Sequence, residues 1–185
     1  MIAFNVAGLL REPPGATREI LLRDHYANLG PDVELAGPLD ADLHLQRTNR
    51  GILVRGELSA PLRRICARCT DPFVEDVAVT ISEEFLPSFD PATGAPIAPD
   101  EGDDGTTQRI NAHHEIELDS VFHDELVLTE PMFPLDRPDC PGLCPVCGEK
   151  LDRGDHTHGG EEIDPRLAGL AALLNDRTGD GDSGP

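Results

Sequence analysis

The sequence predicts an α+β fold, with a mainly antiparallel β amino-terminal half and with short helices and a zinc-knuckle-like loop in the carboxy-terminal half. Three observations predict this class. Runs of alternating apolar and polar residues, separated by turns, follow one another through the first half, as in an antiparallel meander. Later segments carry apolar residues at helical spacing. Between them lies a segment rich in Pro, Gly, Cys, His and Asp without periodicity, which we expect a metal to order.

Six apolar runs predict the strands of the amino-terminal half: Ile2–Leu10, Arg18–Arg23, Ala41–Thr48, Ile52–Leu58, Leu62–Ile65 and Phe73–Phe85. A turn at Pro13-Pro14-Gly15 follows the first run. Asn49-Arg50-Gly51 separates the third run from the fourth, and a short Asn/Gly turn between two strands predicts a β-hairpin. The alternation within Phe73–Phe85 predicts a long strand with one buried face.

The carboxy-terminal half is predicted to contain two helices. Apolar residues recur at helical spacing within Leu118–Thr129, with Asp119 or Ser120 as the amino-terminal cap and Pro131 as the stop. Asp164-Pro165 combines a capping residue with a proline at the first helical position, and leucines follow it at helical spacing. A second, short helix is therefore predicted after Asp164.

These elements divide the chain into four parts. A β-rich domain spans residues 1–86, and an acidic, flexible loop rich in Pro and Gly spans residues 87–110. Residues 111–177 are predicted to contain the first helix, a Cys/His metal-binding loop and the terminal helix, packed on the β part. Residues 178–185 form a Gly/Asp-rich tail that we expect to be disordered.

The chain is acidic, but its charge is unevenly distributed. Its 185 residues carry a formal net charge of −20, and the excess of acids lies entirely within residues 71–185. The first 70 residues are near neutral because nine arginines offset eight acids. No apolar run is long enough to span a bilayer, and the residues after Met1 lack the basic and apolar regions of a signal peptide. We therefore expect a cytoplasmic protein without a membrane partner.

The strongest chemical signal is a Cys/His cluster in the second half. Eight residues separate Cys144-Pro-Val-Cys147 from His156-Thr157-His158. Two thiolates two residues apart can hold one tetrahedral ion from a tight turn, and two imidazoles complete a set of four ligands. We therefore predict a closed, structural zinc site formed by Cys144, Cys147, His156 and His158. The alternatives are a solvated polar loop for the histidines and inert buried thiols for the cysteines.

Cys66-Ala-Arg-Cys69 is a second Cys-x-x-Cys motif, at the end of a predicted strand. It could join the later pair in a ribbon-like site of four thiolates, although the 74 residues between the pairs exceed the usual ribbon spacing. It could instead use Cys140 and another donor, or bind no metal. Arg68 is expected to lower the thiol pKa values and so to favour thiolates. A thiol redox enzyme that uses Cys66 and Cys69 is a further alternative, which tight metal binding would prevent.

The segment from Leu43 to Thr70 contains a single acid, Glu57, and six arginines: Arg47, Arg50, Arg55, Arg63, Arg64 and Arg68. The guanidinium group pairs with phosphate through two hydrogen bonds, so arginines that share one face of a sheet could contact an RNA backbone. No aromatic residues occur among them to stack on bases. Ordinary solvated arginines on a sheet face are the alternative.

The sequence shows no catalytic constellation. It lacks the G-x-x-x-x-G-K-[ST], G-x-S-x-G and H-E-x-x-H motifs. His113-His114-Glu115 adjoins the predicted flexible loop, and His123-Asp124-Glu125 falls on a polar helix face. We therefore expect a protein that is not an enzyme and that takes no small-molecule substrate.

Five segments stand in a characteristic order and spacing: Phe4–Leu10, Cys66–Phe73, Leu126–Met132, Cys140–Gly148 and Asp164–Leu167. In this order they resemble the bacterial YceD family, also described as large ribosomal RNA subunit accumulation proteins. The resemblance implies a role in the synthesis, processing or stability of large-subunit rRNA, and hence in ribosome assembly. Many relatives carry a second Cys-x-Cys where this chain has His156-Thr157-His158, and that exchange retains metal-ligand chemistry.

Two hypotheses about partners follow. In the first, the protein is a non-enzymatic, zinc-stabilised accessory factor, and its arginine-bearing β half contacts large-subunit rRNA or a precursor ribosomal particle. In the second, the acidic remainder makes it an interaction module or chaperone for a basic ribosomal protein, without direct RNA contact.

Overall fold

The computed structural model describes residues 1–90, 93–98, 107–153 and 158. The chain forms two compact units, Met1–Cys140 and Pro141–Pro185. Some predictions fall outside the described residues: those for the acidic run at residues 100–104, His156, the terminal helix after Asp164 and the tail at residues 178–185.

The first unit is mostly β-structure. In chain order its elements are β1 (Ala3–Asn5), α1 (Ala7–Leu10), β2 (Thr17–His25), β3 (Leu39–Arg47), β4 (Ile52–Ile65), β5 (Pro72–Pro87), β6 (Arg109–Ile110), β7 (Glu115–Glu117) and α2 (Asp119–Leu128). A five-stranded sheet has the spatial order β2-β3-β4-β5-β6, and β1 pairs with β7 in a separate two-stranded sheet. All strand pairs are antiparallel except β5 with β6. The predicted α+β class with an antiparallel amino-terminal half is confirmed.

The predicted hairpin forms between β3 and β4. Arg47 pairs with Ile52 across the turn, and the N–H of Thr48 donates to the carbonyl of Gly51 (3.0 Å). The long strand predicted at Phe73–Phe85 is β5, which pairs along the whole of β4. Its side chains alternate between exposed and partly or fully buried positions, as the sequence pattern predicts.

The prediction of one strand over Ile2–Leu10 is wrong in its second half. Only Ala3–Asn5 is extended, and Ala7–Leu10 forms a short helix. Val6, Leu9 and Leu10 are spaced three and four residues apart, so a helical turn brings all three to one side. All three are buried in the core, which is the physical reason for the helix.

Two features of the later part of the unit also differ from expectation. Arg109–Ile110, at the end of the predicted loop, forms β6, because Ile110 is buried in the core. Leu118, and neither Asp119 nor Ser120, occupies the N-cap position of α2, without a side-chain cap. The Asp119 carboxylate instead accepts a hydrogen bond from the backbone N–H of Ile2 (2.6 Å).

One face of the five-stranded sheet is buried and the other is exposed to solvent. The buried face, α1, α2 and the small β1–β7 sheet contribute to a single hydrophobic core, whose largest fully buried side chains include Leu9, Leu45, Ile81, Phe85 and Phe122. Because strand side chains alternate, the arginines of β4 divide between the two faces.

The described part of the second unit is a compact turn. A β-bridge joins Leu143 to Lys150, and a short 3-10 helix spans Leu151–Arg153. Within the described parts of both units, no helix has the length and apolar character needed to cross a membrane.

Candidate metal centres

The first cluster consists of Cys66, Cys69, Asp136 and Cys140. Cys66 and Cys69 lie in the turn that joins β4 to β5, and Asp136 and Cys140 come from the segment after α2. The three sulfurs and one carboxylate oxygen all lie within 4.8 Å of one another, so they could hold a metal ion. All four residues belong to the first unit.

The distance between two sulfurs of the first cluster matches that of two thiolates on one tetrahedral ion. The Sγ atoms of Cys66 and Cys140 are 3.8 Å apart, and neither cysteine forms a disulfide. Zinc–sulfur bonds of about 2.3 Å at tetrahedral angles place two sulfurs about 3.8 Å apart, whereas a disulfide needs about 2.05 Å. The observed spacing therefore fits a shared ion.

Backbone groups favour the thiolate form of Cys66. Burial raises the pKa of this thiol, but a hydrogen bond from the Asp136 backbone lowers it. Further hydrogen bonds, from the backbone of Cys69 and Arg68 and from the Cys69 side chain, bring the pKa from 9.0 to about 7. The sequence predicts that Arg68 lowers the thiol pKa values. In the structure its backbone acts on Cys66, while its guanidinium donates to the carbonyl of Cys140 (2.9 Å).

The second cluster consists of Cys144, Cys147 and His158, and their ligand atoms also lie within 4.8 Å of one another. The Cys144 sulfur is 3.0 Å from Nε2 of His158. Hydrogen bonds from the backbone of Cys147 and Val146 lower the pKa of the Cys144 thiol. They outweigh burial and the nearby Glu149 carboxylate, which raise it.

The structure thus brings together three of the four predicted zinc ligands, while His156 lies outside the described residues. It groups Cys66 and Cys69 with Cys140 and a further donor, one of the arrangements that the sequence left open. That donor is Asp136, which the sequence does not single out as a ligand. Its signal was weak, because it is one of many acidic residues and precedes Cys140 by four positions in a segment without periodicity.

Three of the six candidate RNA-binding arginines are engaged within the protein. Arg47 is partly buried, and its guanidinium donates to the carbonyls of Leu10 (3.3 Å) and Gly51 (2.9 Å). The Arg64 side chain is only 5% exposed. Arg68 is exposed but is bonded to Cys140, as described above. The structure therefore does not present the arginines as one open patch.

The other three arginines are exposed in different settings. Arg63 pairs with Glu34 (2.8 Å), and Arg50 lies in the β3–β4 turn. Arg55 lies on the solvent face of the sheet, beside His44 of β3 and Ser82 of β5.

We call the solvent-exposed side of β2–β5 the outer face. Among the described residues, its carboxylates outnumber its arginines by six to three: Glu19, Asp40, Asp42, Glu57, Asp76 and Glu84 against Arg23, Arg55 and Arg63. Arg23 and Asp42 form an ion pair on this face. This excess of carboxylates over arginines makes the outer face less suited to bind RNA than the sequence predicts.

The fold and the two clusters define a small, β-rich protein with candidate structural metal sites. The family model described as "Large ribosomal RNA subunit accumulation protein YceD" matches residues 54–174, so the chain belongs to the YceD family. The family description connects the protein with large-subunit rRNA and ribosome biogenesis. The resemblance noted in the sequence is therefore confirmed.

The chain is also similar to several mycobacterial proteins. Uncharacterized protein Rv2926c of Mycobacterium tuberculosis (strain ATCC 25618 / H37Rv) is 36% identical over 182 residues, which cover 94% of this chain and 81% of the relative. Uncharacterized protein Mb2951c of Mycobacterium bovis shows the same identity and coverage. Uncharacterized protein ML1660 of Mycobacterium leprae is 29% identical, over 94% of this chain and 77% of the relative. No solved structure matches the chain.

Proposed function

We propose that this protein is a non-enzymatic accessory factor for the synthesis, processing or stability of large-subunit rRNA, acting in the cytoplasm. The family match over residues 54–174 carries the proposal. Its partner in this proposal is large-subunit rRNA or a precursor ribosomal particle. The proposal also includes a structural zinc ion bound by Cys144, Cys147 and His158, with His156 as the fourth ligand.

The chemistry of the two clusters supports a structural rather than a catalytic role. Cysteines are the strongest nucleophiles in the chain, and each of the five lies in one of the clusters. Thiolates that ligate a closed zinc site are not available as catalytic nucleophiles. The proposal therefore assigns the cysteines to the stability of the fold.

A specific observation favours a second candidate function. The outer face has twice as many carboxylates as arginines among the described residues, and the chain as a whole carries a net charge of −20. Such a surface attracts a basic partner and repels nucleic acid. The second candidate is thus a binding module or chaperone for a basic ribosomal protein, without direct RNA contact.

Co-sedimentation with precursor ribosomal particles tests the proposed function. The wild-type chain should co-sediment with large-subunit precursors in a cell extract. Depletion of the protein should lower the amount of mature large-subunit rRNA relative to small-subunit rRNA. A protein found only in the free pool, with rRNA levels unchanged on depletion, would refute the role.

Two charge reversals on one strand distinguish the two candidates. Arg55 and Glu57 are both exposed on the outer face, two residues apart in β4. Direct RNA contact predicts that Arg55→Glu weakens association with the particle, whereas Glu57→Lys does not. Binding to a basic protein predicts the opposite result: Glu57→Lys weakens the association and Arg55→Glu does not. Thermal denaturation of both variants shows whether each remains folded.

A further inference from the structure

We propose that the first cluster is a metal site in its own right, in which Cys66, Cys69, Asp136 and Cys140 hold one divalent ion of the zinc class. This site has its own ligand set and does not depend on the zinc ion proposed for the second cluster. The chain then binds two ions, one through each cluster. The inference stands on geometry within the first unit and not on the proposed role in rRNA metabolism.

The two Cys-x-x-Cys turns share one pattern of backbone hydrogen bonds. In each turn the N–H of the first cysteine donates to the carbonyl five residues later, over 2.8 Å in the first turn and 2.7 Å in the second. The N–H four residues after the first cysteine donates back to its carbonyl, over 2.9 Å in both turns. The two turns therefore hold their cysteines in the same type of hydrogen-bonded loop.

Backbone torsions extend this correspondence. The residue after the second cysteine has a positive φ in both turns, 62° at Thr70 and 74° at Gly148. Glycine adopts this conformation readily, but a β-branched residue does so rarely. The structure thus imposes on Thr70 a conformation that threonine disfavours. A metal bound by the turn would compensate for that strain.

Burial of the three thiols also favours a bound ion at the first cluster. Cys66, Cys69 and Cys140 are nearly inaccessible to solvent, and they form a small buried group separate from the main core. The partly buried hydrophobic residues packed against this group are Phe73 and Leu135. So few hydrophobic contacts do little to hold the three cysteines in place. A coordinated ion would hold the three thiols together more strongly.

The ligand atoms of the first cluster are those that a zinc site uses. Three sulfurs and one carboxylate oxygen make four ligands, the number in a closed zinc site, and thiolates select soft ions over magnesium or calcium. Four anionic ligands exceed the charge of one divalent ion. The Arg68 guanidinium supplies a nearby positive charge, because it donates to the carbonyls of Cys140 (2.9 Å) and Pro138 (3.4 Å).

The position of the site in the fold indicates its purpose. Cys66 and Cys69 lie at the tip of the β4–β5 hairpin, while Asp136 and Cys140 follow α2. The N–H of Ala67 already donates to the carbonyl of Pro134 (2.7 Å) across this junction. A bound ion would fasten the segment after α2 to the hairpin tip.

Metal content of the full chain, purified without a histidine tag, tests the proposal. The wild-type protein should contain two zinc ions per chain, and Cys66→Ser and Cys147→Ser should each contain one. Asp136→Asn should release one of its two ions to a chelator at least about 10-fold more readily than wild type. Asp139→Asn is the matched control, because Asp139 is an exposed acid nearby that is not part of the cluster.

Three results would overturn the proposal. A single zinc ion that is lost in Cys147→Ser but retained in Cys66→Ser would leave the first cluster without a metal. A single ion lost in both variants would join the two pairs in one site. If Asp136→Asn matched Asp139→Asn in zinc release and in the absorption spectrum of the cobalt-substituted protein, Asp136 would not be a ligand. The comparison of Asp136→Asn with Asp139→Asn also tests the proposal if Cys66→Ser fails to fold.

Discussion

Replacement of Arg64 by methionine tests whether this arginine stabilises the fold rather than binding RNA. Its side chain is 5% exposed, with Nε 2.6 Å from a Glu75 carboxylate oxygen. This contact is an ion pair and not a hydrogen bond, because the Nε–H group has no correctly oriented acceptor. Another guanidinium N–H donates to the hydroxyl of Thr129 (3.0 Å), and Glu130 lies 4.0 Å away. Arg64 therefore joins β4 to β5 and to the end of α2.

The structure allows the size of the effect to be worked out. A hydrogen bond from a charged group contributes about 1.5–3 kcal/mol, and an ion pair with a partly exposed carboxylate contributes at most about 1 kcal/mol. Glu75 is 44% exposed, so water can solvate it once its partner is removed. Methionine keeps much of the apolar stem of arginine in place. We expect Arg64→Met to lower the free energy of unfolding by about 2–3 kcal/mol.

Urea and thermal denaturation, followed by circular dichroism, measure this change. A loss of this size should lower Tm by roughly 5–10 °C in a protein of this length. Arg55→Met is the control, because Arg55 is exposed on the outer face, and it should change stability by less than about 0.5 kcal/mol. Equal stability of the two variants would refute the structural role. So would a loss of rRNA association in Arg64→Met without any loss of stability.

Two further substitutions test the sheet and the amino terminus. In Gly56→Ala, the new Cβ would clash with the carbonyl oxygen of Asp42 in β3, so we expect urea denaturation to show that the free energy of unfolding falls by about 3 kcal/mol or more. Ser59→Ala, at an exposed position of the same strand, should have little effect, and equal losses would contradict the proposed clash. Asp119→Ala removes the acceptor of the Ile2 N–H and should cost about 1–2 kcal/mol. Hydrogen exchange of the Ile2 amide should become faster, and an unchanged rate would count against this anchoring contact.

Local pattern was sufficient to predict most of the sheet. Alternating residues and a short Asn/Gly turn predicted the β3–β4 hairpin and the long strand β5. The same reasoning failed for Ile2–Leu10, because a helical turn buries Val6, Leu9 and Leu10 together. It also failed for the cap of α2, because Asp119 is bonded to Ile2, which is distant in sequence.

The sequence by itself determined the two Cys-x-x-Cys turns, since cysteine spacing and the local backbone are short-range properties. Only the tertiary structure decided that Asp136 and Cys140 lie beside Cys66 and Cys69, because the chain must pass through β5 and α2 before the two segments meet. Tertiary structure likewise decided which arginines remain at the surface. Residues on one strand point to opposite faces, and only packing determines which face is buried.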